Sequence, residues 1–490
     1  MESNRRDFLK GMAWMGAVAM AAGCANGRMR LGSGGTMQGF AAPALKKIRV
    51  GVVGLGMRGR GAVHRLASIP GLQVCALCDL VEDRIAAQQK WLKDNGKPAA
   101  RSFCGSPEEW RKMCAWDGID VVYNTTSWDM HVPIALEAME NGKHVFIEVP
   151  AAMYLEDCWA LVETSERTKR HCMQLENCCY GECELLALNL CRQGILGELV
   201  HGEGAYIHDL RTLCYTPSDK GGYYKDWRLR WNMAHKGNQY PTHGLGPICQ
   251  YMNINRGDCF EYLVSLESNQ FNYEAYGLAA FGAGDWHRAA KVGMGDMNTT
   301  LVKTALGRSV MIQHDVSSPR PYSRINKITG TKGTFTGGAF ANPEGMAKME
   351  WPARMGWEDK PGAGVHSYFD PKKTAEMREK YQHPMWKAVG EIAKKVGGHG
   401  GMDFIMDLRW AYCLQNGLPL DMDVYDLATW CSICELSERS VKNRSSSVDV
   451  PDFTHGGWRT AKPLGIVTVD VDKMGLGTGS VKADKSALNV

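Results

Sequence analysis

The stretch Gly54-Leu55-Gly56-Met57-Arg58-Gly59 constrains this chain more than any other, because a strand-like run precedes it and a helix-like run follows. Lys47-Ile48-Arg49-Val50-Gly51-Val52-Val53 reads as a buried parallel strand, and Ala62 to Ser68 as the helix beyond the loop. Gly54 permits the tight turn, Gly56 lets the backbone approach a pyrophosphate, and Gly59 lets helix and strand pack closely. The helix N-terminus then offers free N–H groups to phosphates. A second strand, Leu72 to Cys78, ends in Asp79, twenty residues after Gly59. A carboxylate there accepts hydrogen bonds from the adenine ribose and repels a 2′-phosphate, so the expected cofactor is NAD rather than NADP. Two alternatives stay open: Asp79 as an ordinary loop residue, and Arg58 as a phosphate contact.

The rhythm continues with a strand at Ile119 to Asn124, a helix at Met130 to Glu140 and a strand at Lys143 to Ile147. A helix at Leu155 to Lys169 and a last strand at Cys172 to Leu175 follow. Alternating short strands and helices imply an α/β fold with a doubly wound parallel sheet. Ligands of such sheets sit at the carboxyl ends of the strands. That rule puts Thr125, Thr126, Ser127, Trp128, His131, Glu148 and Val149 near the nicotinamide end.

At 490 residues the chain exceeds one ordinary core and calls for a second domain. The expected division is 1–45 export signal and linker, 46–175 dinucleotide-binding domain, 176–466 substrate domain and 467–490 polar tail. Strand-like runs in the second part are Val200 to Ile207, Glu261 to Ser268, Ala275 to Phe281, Thr299 to Leu306 and Val310 to Val316. Their alternation fits one face on a helix layer and one facing a partner or ligand. Gly221-Gly222-Tyr223-Tyr224-Lys225-Asp226-Trp227-Arg228 reads as a polar, aromatic binding loop or as a plain surface loop. Tyr240-Pro241-Thr242-His243-Gly244 reads as a turn entering a helix, with His243 either a proton-transfer group or a structural hydrogen-bonder.

A net charge of +4 gives no reason to expect nucleic acid or an anionic membrane as partner. Fifteen Trp and seventeen Tyr suit a site that stacks sugar rings, or simply a large core. Seventeen Cys show no disulfide framework, and Cys75 and Cys78 lie in a strand rather than at the helix N-terminus a redox pair needs. No His/Cys cluster has zinc spacing, so no metal is expected. At the start, Arg5-Arg6 before the mild apolar run Gly11 to Ala22 resembles a twin-arginine export signal, which implies a periplasmic destination. Ala21-Ala22-Gly23-Cys24 resembles a lipoprotein box with a lipid anchor on Cys24, and cleavage after Ala42 is the competing reading.

Asp120-Val121-Val122, Asn124-Thr125-Thr126, His131, Gly142-Lys143-His144-Val145 and Glu148-Val149-Pro150 together resemble the Gfo/Idh/MocA oxidoreductases. That family ends the last block Glu-Lys-Pro, with a lysine that polarises a sugar hydroxyl. Val149 stands in its place and can neither donate a proton nor carry charge, which sets a plain sugar or inositol dehydrogenase aside as the rival reading. The Glu-Val-Pro variant is similar to glycoside hydrolase family 109, as are Leu175-Glu176-Asn177-Cys178-Cys179-Tyr180, Tyr206, Trp227-Arg228, Tyr240 to Gly244, Tyr322 and His399-Gly400-Gly401-Met402-Asp403. The resemblance implies a second domain built on a large open antiparallel sheet, often paired into a homo-oligomer. It implies NAD contacts from Met57, Arg58, Asp79, Trp128, Asp129, Met130, His131, Glu148, Val149 and Asn177. It implies sugar contacts from Tyr206, Arg228, Tyr240 and Tyr322, and an α-linked N-acetylgalactosamine substrate.

A conventional glycosidase needs two carboxylates flanking the scissile bond, and spacing identifies no such pair here. The expected chemistry is a transient oxidation at C3, loss of the acidified C2 proton, elimination of the C1 substituent, water addition and re-reduction. Tyr180 and His243 are the candidates for proton transfer. A non-catalytic sugar-binding protein with structural NAD is the remaining alternative.

Overall fold

The computed structural model describes residues 35–337, 340–342, 345–350, 353–360 and 362–476. The segment expected to be an export signal, Cys24 and the last fourteen residues, 477–490, lie outside the described residues. From Gly35 onward the chain clusters as one unit.

Apolar runs rich in Val and Ile form the first sheet, as they must when both faces are covered. Its strands are β1 (Ile48–Val53), β2 (Leu72–Cys78), β3 (Arg101–Phe103), β4 (Val121–Asn124), β5 (His144–Ile147) and β6 (Cys172–Gln174). They lie in the order β3-β2-β1-β4-β5-β6, all parallel. Helices Met57–Ser68, Trp128–Glu140 and Leu155–Thr168 connect them. The doubly wound expectation therefore holds, with element ends matching or shifted by at most five residues.

The second sheet has eight strands. They are β7 (Leu199–Ile207), β8 (Phe260–Glu267), β9 (Asn298–Thr304), β10 (Ser309–Asp315), β11 (Lys327–Gly330), β12 (Gly333–Thr336), β15 (Arg354–Trp357) and β16 (Val448–Asp449). Strands β13 (Phe340–Asn342) and β14 (Gly345–Glu350) form a separate pair. The sheet is mixed rather than purely antiparallel: its order is β15-β12-β11-β7-β10-β9-β8-β16, and β10 runs parallel to β7 from Ser309 opposite His201 to Asp315 opposite Ile207. The tight β9–β10 hairpin delivers β10 into the slot beside β7, so that its direction follows from the hairpin.

Ala275 to Phe281 is not a strand. Asn272–Ala280 is a helix that buries Tyr273 and Gly277, four residues apart. Its first amides are capped from a distance, because Asp296 accepts from Phe271 N at 2.9 Å and from Asn272 N at 3.3 Å. That cap comes from another segment, so local alternation gave no sign of it.

Packing crosses all three of the expected boundaries. Helix Met402–Asn416 returns to the first sheet, where Trp410 stacks on Phe146 at 4.4 Å and Asp407 accepts from Tyr123 Oη at 2.9 Å and Arg65 Nε at 3.0 Å. Val50, Val302, Leu263 and Trp410 then belong to one continuous apolar cluster. Within the expected linker, residues 35–45 pack on the core: Met37 and Ala42 are buried and Leu45 N donates to Leu414 O at 2.9 Å. Residues 467–476 also pack, with Val469, Met474 and Leu476 in the core.

Candidate active site

The groove at the carboxyl end of the first sheet is shaped by backbone. Gly54 has φ +86°, and a Cβ there would lie 2.8 Å from the Thr125 backbone. A Cβ on Gly59 would fall on Gly54 O. Only glycines let strand, loop and helix approach this closely. At Gly56 the nearest atom is the flexible tip of Arg84 at 3.8 Å, so the loop is open on that side. No side chain caps the helix that starts at Met57, which leaves its first N–H groups for a phosphate. Asp79 is buried at the end of β2 and accepts from Leu55 N at 2.6 Å and Val81 N at 2.8 Å. Those bonds hold its carboxylate at the ribose position. A dinucleotide fits this cradle.

At the far end of the groove, Glu148 accepts from Arg58 Nε at 2.9 Å and from Val149 N at 3.3 Å. Arg58 Nη2 reaches Asp403 at 3.3 Å, and Asn177 donates to the other oxygen of Asp403. His399 Nδ1 stands 3.0 Å from Asp403. Burial opposes charge on Asp403, but His399, Arg58 and Arg65 hold its carboxyl well below the usual range. His131 is buried with Nδ1 2.9 Å from Pro150 O and Nε2 3.0 Å from Thr126 O, and burial pushes its pKa down. Its ring thus ties the two strand-end loops together. Asp129 is exposed and takes the Ser127 hydroxyl at 2.5 Å, with Met130 half-buried beside it.

Beside this wall lies an aromatic pocket. Tyr206 is the penultimate residue of β7, Arg228 comes from helix Trp227–Ala234, and Tyr240 precedes helix Thr242–Met252. That helix approaches β7 so closely that a Cβ on Gly204 would lie 2.9 Å from Gly244 Cα, and this brings His243 to Tyr206. Tyr206 and Tyr240 stack at 4.3 Å, with His243 edge-on to them at 5.3 and 4.9 Å. Tyr322 meets Tyr206 edge-on at 6.2 Å and His208 at 5.0 Å. The Arg228 guanidinium lies 4.8 Å from the Trp128 ring, 5.0 Å from Tyr240 and 5.7 Å from Tyr223. It is buried, and its Nε has no hydrogen-bond partner among the described residues. Trp128, Val149, Tyr206, Tyr240 and Tyr322 share one apolar cluster, which joins the expected cofactor and sugar contacts in a single wall.

Tyr180 is placed elsewhere. Its hydroxyl donates to Asp421 at 3.2 Å, and Asp421 is itself paired with Arg409 at 2.9 Å. It packs in the main core and belongs to neither the aromatic cluster nor the carboxylate network around Arg58. Burial, then Asp421, pushes its phenol well above the usual range, the wrong direction for a base. Four residues of the site had no role from sequence: Glu176, Tyr223, His399 and Asp403. Glu176 stands just past β6, where the strand-end rule that selects Glu148 applies equally. Its Oε1 lies 2.8 Å from His243 Nδ1. Cys178 brings its sulfur within 4.8 Å of this pair, but burial holds the thiol well above its usual pKa and therefore protonated.

Residues 48–175 match the family model described as the oxidoreductase family, NAD-binding Rossmann fold. Residues 180–460 match the model described as glycosyl hydrolase 109, C-terminal domain. A Bacteroides fragilis protein named glycosyl hydrolase family 109 protein 1 is 46% identical over 427 residues, covering 86% of this chain and 89% of its own. A Bacteroides fragilis alpha-N-acetylgalactosaminidase is 46% identical over 421 residues, covering 86% and 95%. A Shewanella pealeana family 109 protein is 42% identical over 478 residues, covering 95% and 100%. Among solved structures, levoglucosan dehydrogenase with NADH and levoglucosan superposes with a TM-score of 0.57 at 16% identity, over 83% of this chain and all of that one. An aldose-aldose oxidoreductase from Caulobacter crescentus matches with a TM-score of 0.57 at 16% identity, over 82% of this chain and all of its own. These structural likenesses concern the fold. With both halves of the chain matched in order, an NAD-binding Rossmann fold followed by the family's own C-terminal domain, the chain belongs to glycosyl hydrolase family 109.

Proposed function

We propose that this protein releases terminal α-linked N-acetylgalactosamine by oxidising the sugar transiently and reducing it again within the same turnover. One observation carries the proposal: the buried carboxylates Glu148, Glu176 and Asp403 beside the pocket are each already paired with a basic group. Glu148 is paired with Arg58, Glu176 with His243, and Asp403 with Arg58, Arg65 and His399. A direct hydrolysis needs one carboxyl to hold a proton near neutral pH and a second to act opposite it. Asp403 is held ionised, and Glu176, despite its burial, is kept below its usual range by His243. The site therefore suits a route in which another group loosens the glycosidic bond.

NAD, held by Gly54 to Gly59, Asp79 and the Trp128–His131 turn, would supply a reversible two-electron acceptor. The chain's own residues do the rest. The Tyr206–Tyr240 stack and Trp128 offer faces for a pyranose ring. Arg228, a buried cation with an unused N–H, offers charge to sugar oxygens and to an oxyanion that forms on them. His243 is the proton-transfer group, and Glu148 orients what lies between the two walls. The relative named alpha-N-acetylgalactosaminidase supports the choice of sugar. We place the enzyme outside the cytoplasm, on the paired Arg5-Arg6 and the apolar run that follows.

The test is release of N-acetylgalactosamine from a chromogenic α-glycoside by protein purified without added nucleotide. We expect release with co-purified NAD, loss of release when the nucleotide is stripped, and recovery when it is returned. Deuterium at C2 should wash out into water. Release that survives complete stripping, or full retention of the label, would sink the proposal. Stoichiometric NADH on adding free sugar would favour the dehydrogenase instead.

A further inference from the structure

Glu176 has no part in the scheme above, yet its setting is specific. It is fully buried just past β6, at the foot of helix Thr242–Met252. Gly246 of that helix leaves it room, since a Cβ there would stand 3.0 Å from Glu176 Cγ. Oε1 accepts from Cys178 N at 3.0 Å and faces His243 Nδ1 at 2.8 Å. An ionised carboxylate can only accept, so Nδ1 must carry a proton, and Nε2 is the nitrogen left to exchange one with the sugar. Tyr206 and Tyr240 stand around the ring edge-on and fix its plane.

The phenols and thiols around the pair are neutral near pH 7, while Arg228 keeps its charge 5.0 Å from the Tyr240 ring. Burial raises Tyr206 and Tyr240, which flank the ring. Burial likewise raises Cys178 and Cys179 of the turn after β6, and Cys431 of helix Val424–Lys442. Burial, with Arg228, lowers His208 to about 4. Glu176 is thus the charge in direct contact with His243.

We propose that Glu176 is the positioning residue of the reaction: it fixes the His243 tautomer and balances the imidazolium when Nε2 takes a proton from the sugar. In that step an N–H bond forms at Nε2 as an O–H or C–H bond of the sugar breaks. The electron pair stays on the sugar, and the proton is returned later in the turnover. The inference rests on His243 as the proton-transfer group.

The test uses the NAD-loaded full chain and Glu176→Gln, which keeps the shape and an acceptor oxygen but removes the charge. The kcat should fall about 10²-fold with KM changed less than about threefold and bound NAD retained. The acid limb of the kcat profile should move down by about one pH unit or more, because the imidazolium has lost its partner. Added to His243→Ala, the same change should cost nothing further. Wild-type kcat and pH limb in Glu176→Gln, or an equal fractional loss in the His243→Ala background, would overturn the proposal. Full activity in His243→Ala alone would overturn the reading of His243 beneath it, and would show as a separate result.

Discussion

The dinucleotide groove and the aromatic pocket beside it are built by opposite means. In the groove the backbone makes the surface: Gly54 and Gly59 remove Cβ atoms that would collide, and the helix at Met57 begins without a capping side chain. In the pocket side chains make the surface, and they come from β7, three helices, the turn after β6 and the segment between β10 and β11. A backbone site depends on a few consecutive positions. A side-chain site depends on tertiary contacts, and each contact can fail alone. The two regions should therefore respond differently to single substitutions.

The largest separation is expected from His243→Ala. The pocket would lose its proton-transfer group, and kcat should drop about 10³-fold, within the range for general acid–base catalysis. Among the described residues no hydrogen bond joins His243 to the groove, so co-purified NAD should stay at the wild-type ratio. Steady-state kinetics and absorbance of released nucleotide measure both. Loss of NAD together with turnover would mean that the two regions are not separable.

The reciprocal change is Gly59→Ala. The new Cβ would fall on Gly54 O and stand 2.6 Å from Thr125 Oγ1, so the loop must shift away from its phosphate-binding shape. NAD affinity should fall about 100-fold, in keeping with the loss of several phosphate hydrogen bonds at ~1 kcal/mol or more each. Sugar binding, read from quenching of the tryptophans around Trp128, should persist. Equal loss of both ligands would break the comparison.

This contrast also explains what the sequence disclosed. Gly54, Gly56, Gly59 and Asp79 lie within one strand–helix–strand unit, and local spacing suffices to find them. The aromatic residues of the pocket could be singled out by motif and resemblance, but their partners could not. Glu176 and His243 are 67 residues apart, and Arg58 and Asp403 are 345 apart. No periodicity links such pairs. The same cause hid the helix Asn272–Ala280, whose cap is Asp296, and the parallel placement of β10, which follows from a hairpin rather than from its own residues.

A smaller effect concerns both regions together. Burial lowers the pKa of His144 and His383 to about 4 and of His171 and His314 to about 3. His144 opens β5 and His171 immediately precedes β6 in the first sheet's region, and His314 lies beneath the pocket on β10. These rings are neutral when folded, whereas the unfolded chain binds protons below about pH 6.5. The stability they contribute is present above that value and is lost as pH falls toward 4. One such histidine amounts to about 2 kcal/mol between pH 7 and pH 5. Urea midpoints should drop by at least that equivalent. A flat profile from pH 7 to 5 would mean that these rings are hydrated.

The smallest effect is expected where sequence and structure part most clearly. Tyr180 stands in a segment that resembles the family's site, and proton transfer was the natural expectation for its phenol. In the fold its hydroxyl donates to Asp421, whose oxygens are also held by Arg409 Nε at 2.9 and 3.1 Å. Tyr180→Phe removes one hydrogen bond from a carboxylate that keeps its cation, and the ring still fills its place in the core. Stability should fall by ~1.5 kcal/mol, the low end for a hydrogen bond to a charged group, in keeping with its 3.2 Å length. Turnover should stay within about twofold of wild type, because no atom of the pocket is disturbed. A loss of kcat beyond about tenfold, with the thermal midpoint unchanged, would put the phenol back into the chemistry and require Asp421 to release it during turnover.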